Sequence, residues 1–155
     1  MDRAILTWDV DVVPAADLAT SVHPLLERNG YYCLVAAHLD EEADLWGDLE
    51  LLFVGGAAEQ TLRTAASEQR REHAEAMALA DRAGKSVVVM LGELSDSTLG
   101  RKTRRFLDDI EQCLALRNGP AVSQIPSDFV EARHLSVVNR GDFAPLKWRS
   151  LMTPA

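Results

Sequence analysis

The chain reads as a single α/β domain, a three-layer sandwich on a mostly parallel five-stranded sheet. Three observations predict it. Helical and extended periods alternate along the 155 residues. The extended stretches at 31–37, 49–54 and 86–91 are nearly continuous apolar runs, the pattern of strands covered on both faces. A further helix and strand follow residue 98, which suits a doubly wound sheet. A second topology fits the order strand–helix–strand–strand–helix–strand over residues 4–91: a ferredoxin-like βαββαβ sandwich with C-terminal additions. In that alternative the stretch 40–48 is a hairpin connection, because a parallel crossover normally takes a dozen or more residues.

The elements follow in order. Residues 4–12 form the first strand, apolar and then alternating through Trp8, Asp9, Val10, Asp11 and Val12. Pro14 can open a helix with the stripe Leu18, Val22, Leu25 and Leu26, which Asn29-Gly30 stops. Strands at 31–37 and 49–54 flank the acidic stretch 40–48, and Gly55-Gly56 closes the second of them. An alanine-rich helical segment spans 57–83 and ends at Gly84; its polar middle, 67–73, predicts a break or projecting turn. The fourth strand is 86–91. Asp96 or Ser97 can cap the next helix, with the stripe Leu99, Phe106, Ile110 and Cys113/Leu114, up to Asn118-Gly119-Pro120. A weaker fifth strand is expected at 121–125, a short helix at 128–134 and a strand at 135–138, with Trp148 and Leu151 as docking residues.

Charge is unevenly spread. The net charge is −8, but residues 1–60 hold 12 acidic groups against Arg3 and Arg28 alone. No basic residue lies between Arg28 and Arg63, where seven carboxylates sit. A sequence pI near 4.9 argues against nucleic acid and anionic membrane surfaces as partners. No apolar run approaches a membrane span of about 20 residues. The start Met1-Asp2-Arg3 lacks the layout of a secretory leader, so a cytoplasmic location is expected. Cys33 and Cys113 read as buried free thiols, and no Cys/His spacing suits zinc. No metal and no cofactor is expected.

In a parallel sheet, ligands bind beyond the carboxyl ends of the strands. Gly55 and Gly56 there would let backbone amides approach a phosphate. The loop after the fourth strand offers Ser95, Ser97 and Thr98, with Arg101 one turn on, a candidate anion site. Each feature also has a plain structural explanation, a tight turn and an ordinary N-cap.

The run Asp48-Leu49-Glu50-Leu51-Leu52-Phe53, then Glu75-Ala76-Met77-Ala78-Leu79-Ala80, then Gly84-Lys85-Ser86-Val87-Val88-Val89 resembles the nucleoside deoxyribosyltransferase and TIR-like group, over about residues 4–91. Ser86 stands where that group usually has proline, and the helix before Glu75 is longer. The resemblance implies Glu75 as the carboxylate acting at the ribosyl carbon, with Asp48 or Asp9 orienting the sugar, as suits an oxocarbenium-like transition state.

Two functions follow. One is a domain that binds a nucleotide or nucleoside-type small molecule, with cleavage of an N-glycosidic bond as the activity the resemblance implies. The other is a non-enzymatic interaction module (immunity, adaptor or regulatory) that meets a basic protein partner through Glu41, Glu42, Asp44 and Trp46. Self-association as a homodimer, through the Ala-rich helix or around Trp148, is a third.

Overall fold

The computed structural model describes every residue except Arg101, Ala132 and Ala155. Seven strands form one mixed sheet: β1 (Asp2–Trp8), β2 (Val13–Pro14), β3 (Gly30–Asp40), β4 (Leu45–Ala57), β5 (Ser86–Ser97), β6 (Leu135–Gly141) and β7 (Arg149–Met152). Among the described residues three α-helices accompany them: α1 (Leu62–Ser67), α2 (Arg71–Arg82) and α3 (Arg104–Asn118). The strand order is β4-β3-β5-β1-β6-β7, with β2 beside β5. Only β1 and β6 run parallel; every other pair is antiparallel.

The mostly parallel sandwich is therefore corrected to a mixed sheet curled into a half-barrel. The decisive segment is the acidic one. Asp40 Oδ1 accepts the backbone N–H groups of Glu42 and Ala43, and Asp44 takes a left-handed φ of 53°. Asp tolerates that conformation, and the result is a tight reversal that folds β4 back on β3. The ferredoxin-like alternative does not hold either, because β1 pairs with β5 and β6 rather than with β4.

The apolar runs reported burial on two sides, and that has a different cause from parallel direction. Tyr32, Leu34, Leu52, Val89 and Leu91 pack under α1 and α2. The alternate residues Cys33, Val35, Val54 and Met90 pack under α3, through Phe106, Ile110, Cys113 and Leu114. Each of those fully buried large side chains contributes about 1.5–3 kcal/mol.

The curl centres on β5. It pairs with β3 over 86–92 and with β1 over 92–97, so one strand serves two half-sheets. Gly92 sits at the changeover, where a Cβ would come within 2.8 Å of the Trp8 ring. Trp8 is itself buried and donates from Nε1 to Asn139 Oδ1 at 2.9 Å.

Local expectations divide. The long helical segment breaks within its polar middle, at 68–70, and β4 takes its first residue, Ala57. The helix expected after Pro14 is two short 3-10 turns, Ala15–Asp17 and Pro24–Glu27, and Val22 is 93% exposed. Arg63 holds that stretch by donating to the Leu18 and Ser21 carbonyls and pairing with Glu27. The expected strand at 121–125 is instead a strap on β4: Ala121 and Val122 donate to the Leu51 and Leu52 carbonyls. Gln124 there clamps both the N–H and the C=O of Val54, at 2.8 and 2.6 Å. Among the described residues of 128–134 no helix forms. Both cysteines are buried and free, and Trp148 is 62% exposed rather than docked.

Candidate functional site

Two concave regions flank the hairpin, at opposite ends of β3 and β4, apart from a shallower one of about 680 Å³ between the 15–19 turn and the helices α1 and α2. At one end the hairpin outruns the sheet. Pairing of β3 with β5 stops at Ala37 and Ser86, whereas β3 and β4 continue together through His38–Gly47, Leu39–Trp46 and Asp40–Leu45. The arm is acidic, with Asp40, Glu41, Glu42 and Asp44 exposed, and so is its root, with Asp48 and Glu50 exposed; among the described residues none of the six is in an ion pair. Lys85 reaches it only through the Asp48 carbonyl, at 2.7 Å. The same arm exposes Leu39, Leu45 and Leu49, while Trp46 leans on the core beneath α3.

Under the arm lies a cleft of about 470 Å³. Val12, Val35, Val88, Met90 and Trp46 make its apolar wall, and Asp9, Asp11, Asp44 and Asp142 its polar one, with no basic lining residue among those described. Asp9 is the best held of these, accepting from the Asp11 N–H at 2.8 Å and lying 3.2 Å from His23 Nε2. Among the described residues no group of His, Cys, Asp and Glu is arranged to hold a metal ion.

At the other end a cavity of about 660 Å³ opens between the start of β3, the end of β4, the far half of β5 and the first turns of α3. Its inner wall carries Glu111 and Tyr31. Burial, and next the neighbouring Asp108 charge, push the Glu111 carboxyl above its ordinary value; Arg70, the Gly56 N–H and Arg104 act the other way. Burial likewise raises the Tyr31 hydroxyl, with Glu111 and Asp108 adding to it. That hydroxyl donates to the Leu107 carbonyl at 2.8 Å. The carboxylate reaches the chain at Gly56 because no side chain intervenes: a Cβ there would sit 2.7 Å from Glu111 Oε1.

The residues expected from sequence are scattered over these regions. Glu75 is exposed on α2 and Asp48 sits at a left-handed position, φ 52°, on the arm; neither lines a cavity with Asp9. Gly55 serves packing, since a Cβ would come 2.3 Å from the Tyr32 ring. Gly56 and Ser95 do line the larger cavity. Ser97 and Thr98 hold structure instead: β5 runs on through Ser97, Thr98 Oγ1 accepts the Arg3 N–H, and the cap of α3 is Thr103. Arg101 lies outside the described residues. Glu41, Glu42, Asp44 and Trp46 share the arm.

Sequence reasoning missed Glu111 and Tyr31, whereas Lys102, which follows Arg101 in the anion loop expected after the fourth strand, does line the larger cavity. A signal existed for one of them: Asp108 and Glu111 are three apart in a helix, so two like charges share one face beside the apolar stripe.

Among the described residues no helix is long and apolar enough to cross a membrane. Comparison with known proteins identifies no relative: no family model, no curated protein and no solved structure matches this chain.

Proposed function

We propose that this chain is a protein-interaction module that docks a basic partner on the hairpin arm and the cleft below it. One observation carries the reading: six exposed carboxylates on the overhanging hairpin and its root, none of them in an ion pair among the described residues, beside exposed leucines and a half-buried tryptophan. Unneutralised charge on a projection steers cationic surfaces toward it. Trp46, Leu45 and Leu49 then offer the apolar anchor that charge alone lacks. The cleft suits a lysine or arginine side chain, whose methylene stem matches the apolar wall and whose head meets Asp9, Asp11, Asp44 and Asp142.

A lysine- and leucine-bearing peptide is a direct probe. Reversal at Glu41, Glu42 and Asp44 to lysine should cut its on-rate about 10-fold or more and flatten the salt dependence. A charge-matched reversal at Glu75, Asp81 and Asp128 should change both far less. Equal effects of the two triple variants would remove the arm as the docking surface.

A further inference from the structure

The larger cavity lies at the opposite end of the hairpin from the arm and needs an account of its own. Two lining groups, Asp108 and Glu93, already have cations: Arg104 at 3.0 Å and Arg28 at 2.8 Å. Lys102 has no carboxylate partner among the described residues. Glu111, deeper in, sets Oε1 against the chain at Gly56 and lines the cavity, and among the described residues no side chain donates to its carboxylate, which leaves acceptor capacity. Arg104 and Glu111 are seven residues apart on α3, about 10 Å along its axis. The cavity thus offers an acceptor at its inner end and a cation by the start of the helix, within a volume typical of small-ligand sites, about 300–1,000 Å³.

We propose that this cavity binds a nucleoside monophosphate whose base presents adjacent N–H donors to Glu111 and whose phosphate lies at the Lys102 end. Guanine fits that acceptor: its N1–H and amino group point the same way and match a carboxylate edge, whereas adenine offers a lone pair at N1. Gly56 is part of the site because it lets Glu111 settle against the backbone with one oxygen left over.

Calorimetry on the full chain tests this with guanosine 5′-monophosphate as the probe. Binding is expected, at least 10-fold tighter than for adenosine 5′-monophosphate or guanosine, and none is expected for inorganic phosphate alone. Glu111→Gln keeps the shape but turns an amide N–H toward the base, and should weaken binding at least 10-fold. Lys102→Gln should erase the advantage of the monophosphate over guanosine while leaving guanosine binding as it was. No binding of guanosine 5′-monophosphate at millimolar concentration overturns the proposal. So does unchanged affinity in Glu111→Gln, or phosphate binding as tightly as the nucleotide. The arm variant reversed at Glu41, Glu42 and Asp44 should bind the nucleotide like the parent, so this result and the peptide result stand or fall separately.

Discussion

Tyr32→Phe is the most informative single change for the fold around the larger cavity. His73 is buried, with Nδ1 2.9 Å from the Glu68 carbonyl and Nε2 2.8 Å from the Tyr32 hydroxyl. A carbonyl only accepts, so Nδ1 carries the hydrogen and Nε2 takes the Tyr32 proton. Rings of Phe53 and Tyr32 meet the imidazole edge-on, at 5.1 and 5.8 Å. Burial is the main reason the His73 pKa is held below its ordinary value. Removing the hydroxyl leaves the Tyr32 ring packed against Phe53, but leaves Nε2 without its donor in an apolar site. That costs about 1–3 kcal/mol. Thermal melting should fall by about 2–4 °C per kcal/mol at this chain length, and the urea midpoint should drop without a change in slope. The lost bond also loosens the grip of His73 on Glu68, and Glu68 and Arg70 are walls of the cavity. A Tyr32→Phe protein within about 0.3 kcal/mol of the parent would refute this account of the hydrogen bond. The pH dependence checks the same group. With the folded pKa lowered, the unfolded chain takes up a proton the folded one refuses, so stability falls as pH drops below about 6.5. His73→Gln should lose that portion of the acid slope.

Two further outcomes follow from named contacts. Gln124→Ala frees the Val54 N–H and C=O on the outer edge of β4 and should cost about 1–3 kcal/mol. It should also raise self-association in sedimentation, since an uncovered edge pairs with other chains; a monomer of unchanged stability would argue that the strap does nothing. Glu111→Gln should become relatively more stabilising as pH rises above about 4.5, because a raised carboxyl contributes stability below its ordinary value and loses it on ionising. Urea titrations of both proteins at pH 4 and pH 8 read this directly, and a pH-independent difference would contradict the burial of Glu111.

Much of the local structure was legible because it depends on neighbours in sequence. The stripe Phe106, Ile110, Cys113 and Leu114 has helical spacing whatever it packs against, and α3 forms there, ended by Gly119 at φ 57°. The polar stretch around Glu68 cannot bury a face, and the helix breaks at it. Tyr31, Cys33 and Val35 alternate with Tyr32 and Leu34 between two cores, so the unbroken apolar run correctly announced two covered faces. It carried no information about direction. Val22 shows the opposite failure: it completes a helical stripe on paper and stands in solvent, because His23 and Arg63 bond the chain into 3-10 turns.

The candidate sites divide the same way. Acidity between Arg28 and Arg63, and the presence of Trp46 within it, are properties of composition and were fixed before any folding. That the acidic residues project on an arm depends on β5 starting at Ser86, opposite Ala37, and so leaving the hairpin unaccompanied. The cavity by α3 depends on still more distant partners: Gly56 and Glu111 are 55 residues apart in sequence and meet only because the β4 edge passes the second turn of the helix. Periodicity and charge are set by the chain itself, through side-chain size and ionisation. Strand direction, register and the gathering of distant groups are set by long-range hydrogen bonds and packing, which a reading of adjacent residues does not contain.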